Sequence, residues 1–127
     1  MDDITKNIFE KRIEKAKDDE NELFIIIFEI LLSYLSEAIF TKNIDAIKNA
    51  DRCIDKIIMI SNSNNLPSNV FIYCKSVFIK CISKETFDEL RDIYVIIEKF
   101  KETYKNAFKQ KVIKNATYDK NGKLLIN

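Results

Sequence analysis

The sequence contains no histidine, and this absence removes the side chain that most often serves as a general base or as a metal ligand. The di-iron sites of helical bundles need Glu-x-x-His pairs, and a Ser–His or Cys–His nucleophile needs the same missing residue. We therefore predict that the chain is not an enzyme and that it holds no metal and no cofactor.

Glycine and proline are nearly as scarce, with one of each among 127 residues. The single glycine, Gly122, excludes the glycine-rich loops that cradle phosphates in nucleotide-binding proteins. An all-β fold is also disfavoured, because it needs many tight turns. The three cysteines are an odd number without a CxxC spacing, which favours reduced thiols that act as small apolar residues.

The charges are numerous but balanced, and the formal net charge is +1. A nucleic-acid-binding protein usually carries a strong basic excess, so we expect no nucleic-acid partner. The first residues show no basic segment followed by an apolar run, which predicts that there is no signal peptide. Together with the reduced thiols, these features predict a cytoplasmic protein.

Apolar surface is what the sequence has in abundance, above all between Asn21 and Phe40. The apolar residues of this stretch occupy two adjoining faces of a helix, and such a helix must be covered from several sides. We therefore interpret it as the central helix of a bundle. Two carboxylates inside the stretch argue against membrane insertion. The remaining polar strip is narrow and consists of Glu29, Ser33, Ser36 and Glu37.

The rest of the chain supplies helices that could cover this one. Apolar spacings predict a short amphipathic helix within residues 1–17 and long helices over about 20–40, 44–60, 69–83 and 86–110. The connections are short, which is typical of antiparallel neighbours. The predicted fold class is therefore all-α, with an antiparallel four-helix bundle over 18–110 and an additional short N-terminal helix.

Local signals mark the ends of these helices. Thr41 or Asn43 is a candidate N-cap for the helix from residue 44, and Ser68 is one for the helix from residue 69. Thr86 and Glu89 have the spacing of a capping box for the last helix.

Residues 111–127 lose the helical periodicity. Asn121-Gly122 is a turn signal between possible strand residues. Because an isolated hairpin is marginally stable, we expect a tail that is flexible or that docks on a partner.

Several strings resemble the flagellar secretion chaperones, which hold flagellin before its export. The stretch Glu22 to Leu35, ELFIIIFEILLSYL, is similar to the opening of that family's first long helix, with Phe28-Glu29 where the family tends to show Tyr-Asp. The likeness covers about residues 21–110 and includes the last helix, where Tyr104 stands in place of the usual tryptophan. The small-residue stretch that usually precedes the family's first long helix is replaced here by Lys17-Asp18-Asp19-Glu20.

This resemblance implies a non-enzymatic cytoplasmic chaperone that binds the disordered C-terminal segment of flagellin, or another axial flagellar protein, in apolar grooves. Such binding would prevent premature polymerisation and aid export. The alternative is a generic helical protein-interaction adaptor without a flagellar role. We expect a monomer, with a dimer as the alternative.

The groove is expected on two predicted helices, although residues of this kind also build cores, and the pattern leaves open which face of the helix over 20–40 is shared. We further hypothesise that the N-terminal helix folds over the vacant groove, because its apolar stripe of Ile4, Ile8 and Ile13 is thin. The predicted groove residues are Phe24, Ile27, Phe28, Leu31 and Leu35, with Phe71 and Phe78 opposite.

Overall fold

The structure, a computed structural model, describes residues 1–114, 117–118 and 124–125, with side chains to residue 106. This part of the chain is a helical bundle of five helices followed by one short pair of strands. The elements are α1 (Asp3–Lys15), α2 (Glu20–Thr41), α3 (Ile44–Ser63), α4 (Asn69–Lys84), α5 (Leu90–Lys114), β1 (Thr117–Tyr118) and β2 (Leu124–Leu125).

Helix α2 lies at the centre of the core, as its two apolar faces predict. Helices α3 and α5 pack along it, and α4 packs on α3 more closely than on α5. Covering α2 from these sides removes eight of its side chains from water, and burial of apolar surface is the main driving force for this arrangement. Its buried residues are Phe24, Ile25, Ile26, Phe28, Leu31, Leu32, Leu35 and Ala38.

A cluster of five aromatic rings joins α2, α4 and α5. Phe28 of α2 lies 5.7 Å from Phe71 of α4, between ring centroids, and the two rings meet edge to face. Tyr104 of α5 lies 5.6 Å from the ring of Phe24 and 6.1 Å from that of Phe100. Aromatic pairs at such distances add stabilisation beyond the area that they bury. We call these five residues the aromatic cluster.

The tyrosine of this cluster also fixes the loop between α3 and α4. Its hydroxyl donates a hydrogen bond of 3.0 Å to the carbonyl oxygen of Pro67. Tyr104 is only 5% exposed, so its hydroxyl needs a partner inside the fold. The contact holds the loop of residues 64–68 against the end of the aromatic cluster. The polar loop was predicted to begin at Ser61, but α3 continues to Ser63.

Two groups of ion pairs connect α4 to its neighbours. The Lys75 ammonium lies 3.0 Å from a carboxylate oxygen of Asp51 and 2.8 Å from one of Asp55, both on α3. The Lys80 ammonium lies 2.7 Å from a carboxylate oxygen of Glu89, just before α5. All are at least partly exposed, so each contributes little to stability, but together they align α4 with both neighbours.

The predicted caps have different outcomes. Asn43 caps α3, since its side-chain oxygen accepts a hydrogen bond of 3.0 Å from the Asp45 N–H. Ser68 occupies the predicted N-cap position of α4, but its hydroxyl donates to the Asn62 side chain at 2.9 Å and makes no capping bond.

The capping box predicted at the start of α5 is wrong. The helix begins at Leu90, because the chain first closes α4 with a left-handed residue, Glu85, and the Thr86 N–H then bonds back to the Cys81 carbonyl oxygen at 3.2 Å. The Glu89 carboxylate pairs with Lys80 instead of capping the helix.

Three residues other than glycine adopt left-handed backbone conformations at helix ends. They are Lys42 (φ 57°), Asn65 (φ 55°) and Glu85 (φ 52°). A side chain with a Cβ atom costs about 1–2 kcal/mol in this conformation, although asparagine tolerates it better than most residues. These turns therefore depend on contacts elsewhere in the fold.

The predicted tail over 111–127 is described only in part. Helix α5 continues through residues 111–114, and the strand pair joins Thr117 to Leu125 and Tyr118 to Leu124 in antiparallel register. The Asn121-Gly122 turn between the strands lies outside the described residues.

We predict that Tyr104→Phe lowers the free energy of unfolding by about 1 kcal/mol, because the hydrogen bond to the Pro67 carbonyl is lost while the ring stays in place. Urea unfolding followed by circular dichroism measures this change. Tyr73→Phe is the matched control, since Tyr73 is 55% exposed and its hydroxyl forms no hydrogen bond to the described residues. Equal effects of the two substitutions would contradict the role given to the bond.

Candidate partner-binding surface

Six of the seven predicted groove residues lie in the core. Each is at most 1% exposed, so they offer no surface to a partner in this conformation. Only Ile27 is partly exposed, and it packs against the same core. The reason is that α3, α4 and α5 pack on the face of α2 that carries Phe24, Phe28, Leu31 and Leu35, which the sequence pattern could not decide. The six buried residues are Phe24, Phe28, Leu31, Leu35, Phe71 and Phe78.

Other apolar side chains are exposed, and they are spread over all five helices. Single exposed residues are common on soluble proteins and need no functional explanation. Exposure becomes informative where such residues share a concave surface. The large exposed side chains are Ile4, Ile8, Ile13, Phe40, Met59, Ile72, Tyr73, Ile79 and Val95.

Phe40 and Val95 share such a surface, which we call the α2–α5 cleft. Phe40 is 80% exposed at the end of α2, and Val95 is 52% exposed on the first turns of α5. Among the described residues, the Arg91 guanidinium at its edge has no carboxylate within ion-pair distance, so it could meet a carboxylate of a ligand. The cleft is lined by Ser36, Ile39, Phe40, Arg91, Tyr94 and Val95.

A second depression continues from this cleft towards α1, and we call it the α1 depression. It shares Ser36 and Tyr94 with the α2–α5 cleft, so the two spaces are neighbours on one side of the bundle. One of its walls comes from the N-terminal segment. It is lined by Met1, Asp2, Thr5, Leu32, Ser33, Ser36, Glu37 and Tyr94.

The polar strip of α2 contacts α1. The Arg12 guanidinium donates a hydrogen bond to the Glu29 carboxylate and lies 3.6 Å from an oxygen of Glu22. The ammonium group of Met1 lies 2.6 Å from the Glu37 carboxylate. The bond to Glu29 raises the pKa of Arg12 above its usual value, chiefly because it stabilises the charged guanidinium.

This contact corrects the hypothesis that α1 covers an apolar groove with its apolar stripe. No residue of α1 is buried, and Ile4 and Ile8 are 75% and 53% exposed. The stripe does not hold the helix in place, because the Arg12 guanidinium makes the contact with the polar strip of α2. Sequence reasoning missed this pairing, although the spacing of the acidic residues along α2 was a visible signal.

The cysteines form no disulfide, and Cys74 and Cys81 are buried. Burial raises the pKa of Cys53 and of Cys74 to about 11, since a low-polarity environment disfavours the thiolate. Burial also raises the pKa of Cys81. The thiolate is the reactive form, so the arrangement gives these residues little nucleophilic character.

Metal binding and membrane insertion have little support in the described part of the chain. Over residues 1–106, no three cysteine or acidic side chains come together as a group that could hold a metal ion. Helix α2 is long and apolar enough to cross a membrane, but a core helix has the same properties, and several of its residues are buried in the bundle.

Comparisons with protein-family models, curated proteins and solved structures found no match to this chain.

We predict that Phe28→Ala lowers the free energy of unfolding by about 3–5 kcal/mol, because it removes a ring from the centre of the aromatic cluster and leaves a cavity. The neighbouring Ile27→Ala should have a smaller effect, because Ile27 is only partly buried. Urea unfolding of both variants provides the comparison. A Phe28→Ala variant with wild-type stability would return this residue to the candidate groove.

Raised thiol pKa values also predict that stability falls in alkali. The folded protein keeps the protons of Cys53 and Cys74 up to about pH 11, whereas the unfolded chain loses them from about pH 8.5. The free energy of unfolding should therefore decrease as the pH rises between these values, by up to about 1.4 kcal/mol per pH unit for each thiol.

Urea unfolding between pH 8 and pH 11 under reducing conditions measures this slope. Cys53→Ala should flatten it, because that thiol no longer titrates. The comparison of slopes, rather than of absolute stabilities, separates titration from the packing lost in the variant. An unchanged slope would show that the thiol titrates alike in the folded and unfolded states.

Proposed function

We propose that this chain is a non-enzymatic helical chaperone that binds the C-terminal segment of flagellin. The observation that carries the proposal is the α2–α5 cleft, where apolar side chains are exposed next to Arg91, a cation without an ion-pair partner among the described side chains. The resemblance over about residues 21–110 supplies the client. We assign the protein to the cytoplasm and expect it to act as a monomer.

We also propose that α2 to α5 form an antiparallel four-helix bundle. Two residues connect α2 to α3, and a connection this short favours antiparallel packing. Lys80 near the end of α4 pairs with Glu89 just before α5, and Tyr104 late in α5 bonds to Pro67 just before α4, which supports opposite directions for α4 and α5.

The cleft suits an amphipathic helix better than an extended strand. Its lining residues all lie on two helices, so a client that binds there gains side-chain contacts rather than main-chain hydrogen bonds. Ile39, Phe40 and Val95 would contact apolar residues of the client, and Arg91 would meet a carboxylate. Ordering a disordered segment has a free-energy cost, so this cleft alone predicts modest affinity.

The burial of the six predicted groove residues favours a second candidate, a helical protein-interaction adaptor without a flagellar role. The wide apolar groove expected along α2 is closed in this conformation, which leaves a smaller surface for a client. An adaptor that binds one short helix needs no more than the α2–α5 cleft. The two candidates differ in the partner and share the surface.

The test is binding of a synthetic peptide with the C-terminal sequence of flagellin from the source organism, followed by fluorescence anisotropy. We expect the double variant Phe40→Glu and Val95→Glu to weaken binding about tenfold or more, because charges replace the two most exposed apolar groups of the cleft. Both side chains are exposed, so thermal unfolding should stay close to that of the wild type.

Met59→Glu is the matched control, because Met59 is 62% exposed on α3 and lies outside the cleft. It should leave peptide binding unchanged. No binding of the peptide by the wild-type protein would reject the flagellin assignment. Equal weakening by the control would reject the α2–α5 cleft as the site.

A further inference from the structure

We infer that α1 is a detachable strap, held on the bundle mainly by charge, whose release joins the α1 depression and the α2–α5 cleft into one groove. The release is controlled by ionic strength and centres on Arg12. This inference concerns the protein without any client. Only its effect on client binding would rest on the proposed function.

Helix α1 lacks the buried apolar side chains that normally hold a helix on a bundle. A helix of 13 residues without a buried side chain gains little from the hydrophobic effect, and its three isoleucines are exposed. The helix is well capped by Asp2, whose side chain accepts a hydrogen bond of 2.7 Å from the Thr5 N–H. Such a helix can keep its local structure while its attachment to the bundle stays weak.

Ion pairs attach α1 to α2. The ammonium group of Met1, just before the helix, lies 2.6 Å from the Glu37 carboxylate of α2. Within α1 itself, Arg12 reaches two carboxylates of α2, those of Glu29 and Glu22. These groups are between 28% and 49% exposed, so salt can screen their interaction. An attachment of this kind weakens as ionic strength rises, whereas apolar packing does not.

The turn from Ala16 to Asp19 acts as a hinge between α1 and α2. Ala16 is 7% exposed and therefore stays anchored, and the Asp19 N–H bonds to its carbonyl oxygen at 2.8 Å. Asp19 in turn caps α2 through the Glu22 N–H at 3.1 Å. The turn between the helices is thus fixed to α2, and α1 can swing about it without disturbing the core.

Release of α1 uncovers the α1 depression. Asp2 and Thr5 form one wall of the α1 depression, and Ser33 of α2 forms part of the opposite wall. When α1 leaves, that wall is removed, and the depression opens into the neighbouring α2–α5 cleft through the shared Ser36 and Tyr94. The combined groove lies along α2 from Leu32 to Phe40 and borders α5 between Arg91 and Val95.

Hydrogen exchange measured by mass spectrometry on the full-length protein tests the strap. Arg12→Gln should raise the exchange rate of the α1 amides about twofold to fivefold at low salt, the size expected for losing a partly exposed ion pair. In the wild type, 1 M sodium chloride should produce a similar rise. Lys11→Gln is the matched control, because the exposed Lys11 forms no ion pair with the described residues.

Glu29→Gln should raise exchange as Arg12→Gln does, and the double variant should add little further, because both changes remove one interaction. Exchange in α3 to α5 should stay unchanged in all variants. The strap is overturned if α1 exchange is insensitive to salt and to Arg12→Gln, or if Lys11→Gln has the same effect.

Opening of the groove has its own measurement. A cysteine placed by Ser33→Cys should react with a maleimide several-fold faster when Arg12→Gln is added, because the wall formed by α1 is removed. Ser76→Cys, on the exposed side of α4, should react at the same rate in both backgrounds. No acceleration at position 33 would overturn the opening of the groove.

Discussion

The contact between aromatic rings of α2, α4 and α5 is the interaction on which the rest of this fold depends. Phe28 and Tyr104 contact rings on other helices, and the Tyr104 hydroxyl continues the contact to the loop before α4. Helix α4 approaches α5 less closely than the other neighbouring helices approach each other. The ring of Phe71 against that of Phe100 fills this gap, and the ion pair of Lys80 with Glu89 closes its far end.

The centre of the bundle explains why the candidate surface lies at its edge. Phe24 and Phe28 of α2 pack with Phe71 of α4 in the aromatic cluster. These apolar residues of α2 therefore stabilise the fold and present no surface to a partner. What remains for a partner lies near the last turn of α2 and the first turns of α5, where Phe40 and Val95 extend beyond the core. The same side of the bundle carries the attachment of α1, so the two surfaces meet at Ser36 and Tyr94.

Much of this fold could be predicted from the sequence. The apolar periodicity gave the helices to within a few residues, and Asn43 was a correct N-cap because its side chain acts on a neighbouring N–H. The predicted capping bonds do not form where local chemistry competes with distant contacts. Ser68 and Glu89 have suitable spacings for caps, but each side chain binds a residue on another segment.

The candidate site could be predicted much less well. Periodicity shows that α2 is apolar on two faces but not which neighbours cover each face, so core and groove residues look alike. Phe40 carried no signal as an exposed residue, since it ends an apolar run. The polar strip was visible in the sequence, whereas its contact with Arg12 depends on how the chain turns between Ala16 and Asp19.

The left-handed residues at the helix ends have a consequence for how the chain folds. A glycine would end a helix through its own backbone preference, but Lys42 and Glu85 adopt this conformation against theirs. Lys42 is held in part by a distant contact, with its ammonium 5.4 Å from the centre of the Phe87 ring. The end of α2 is therefore in part a property of the assembled bundle. A glycine at position 42 would give the helix the same ending from its own backbone preference, without that contact.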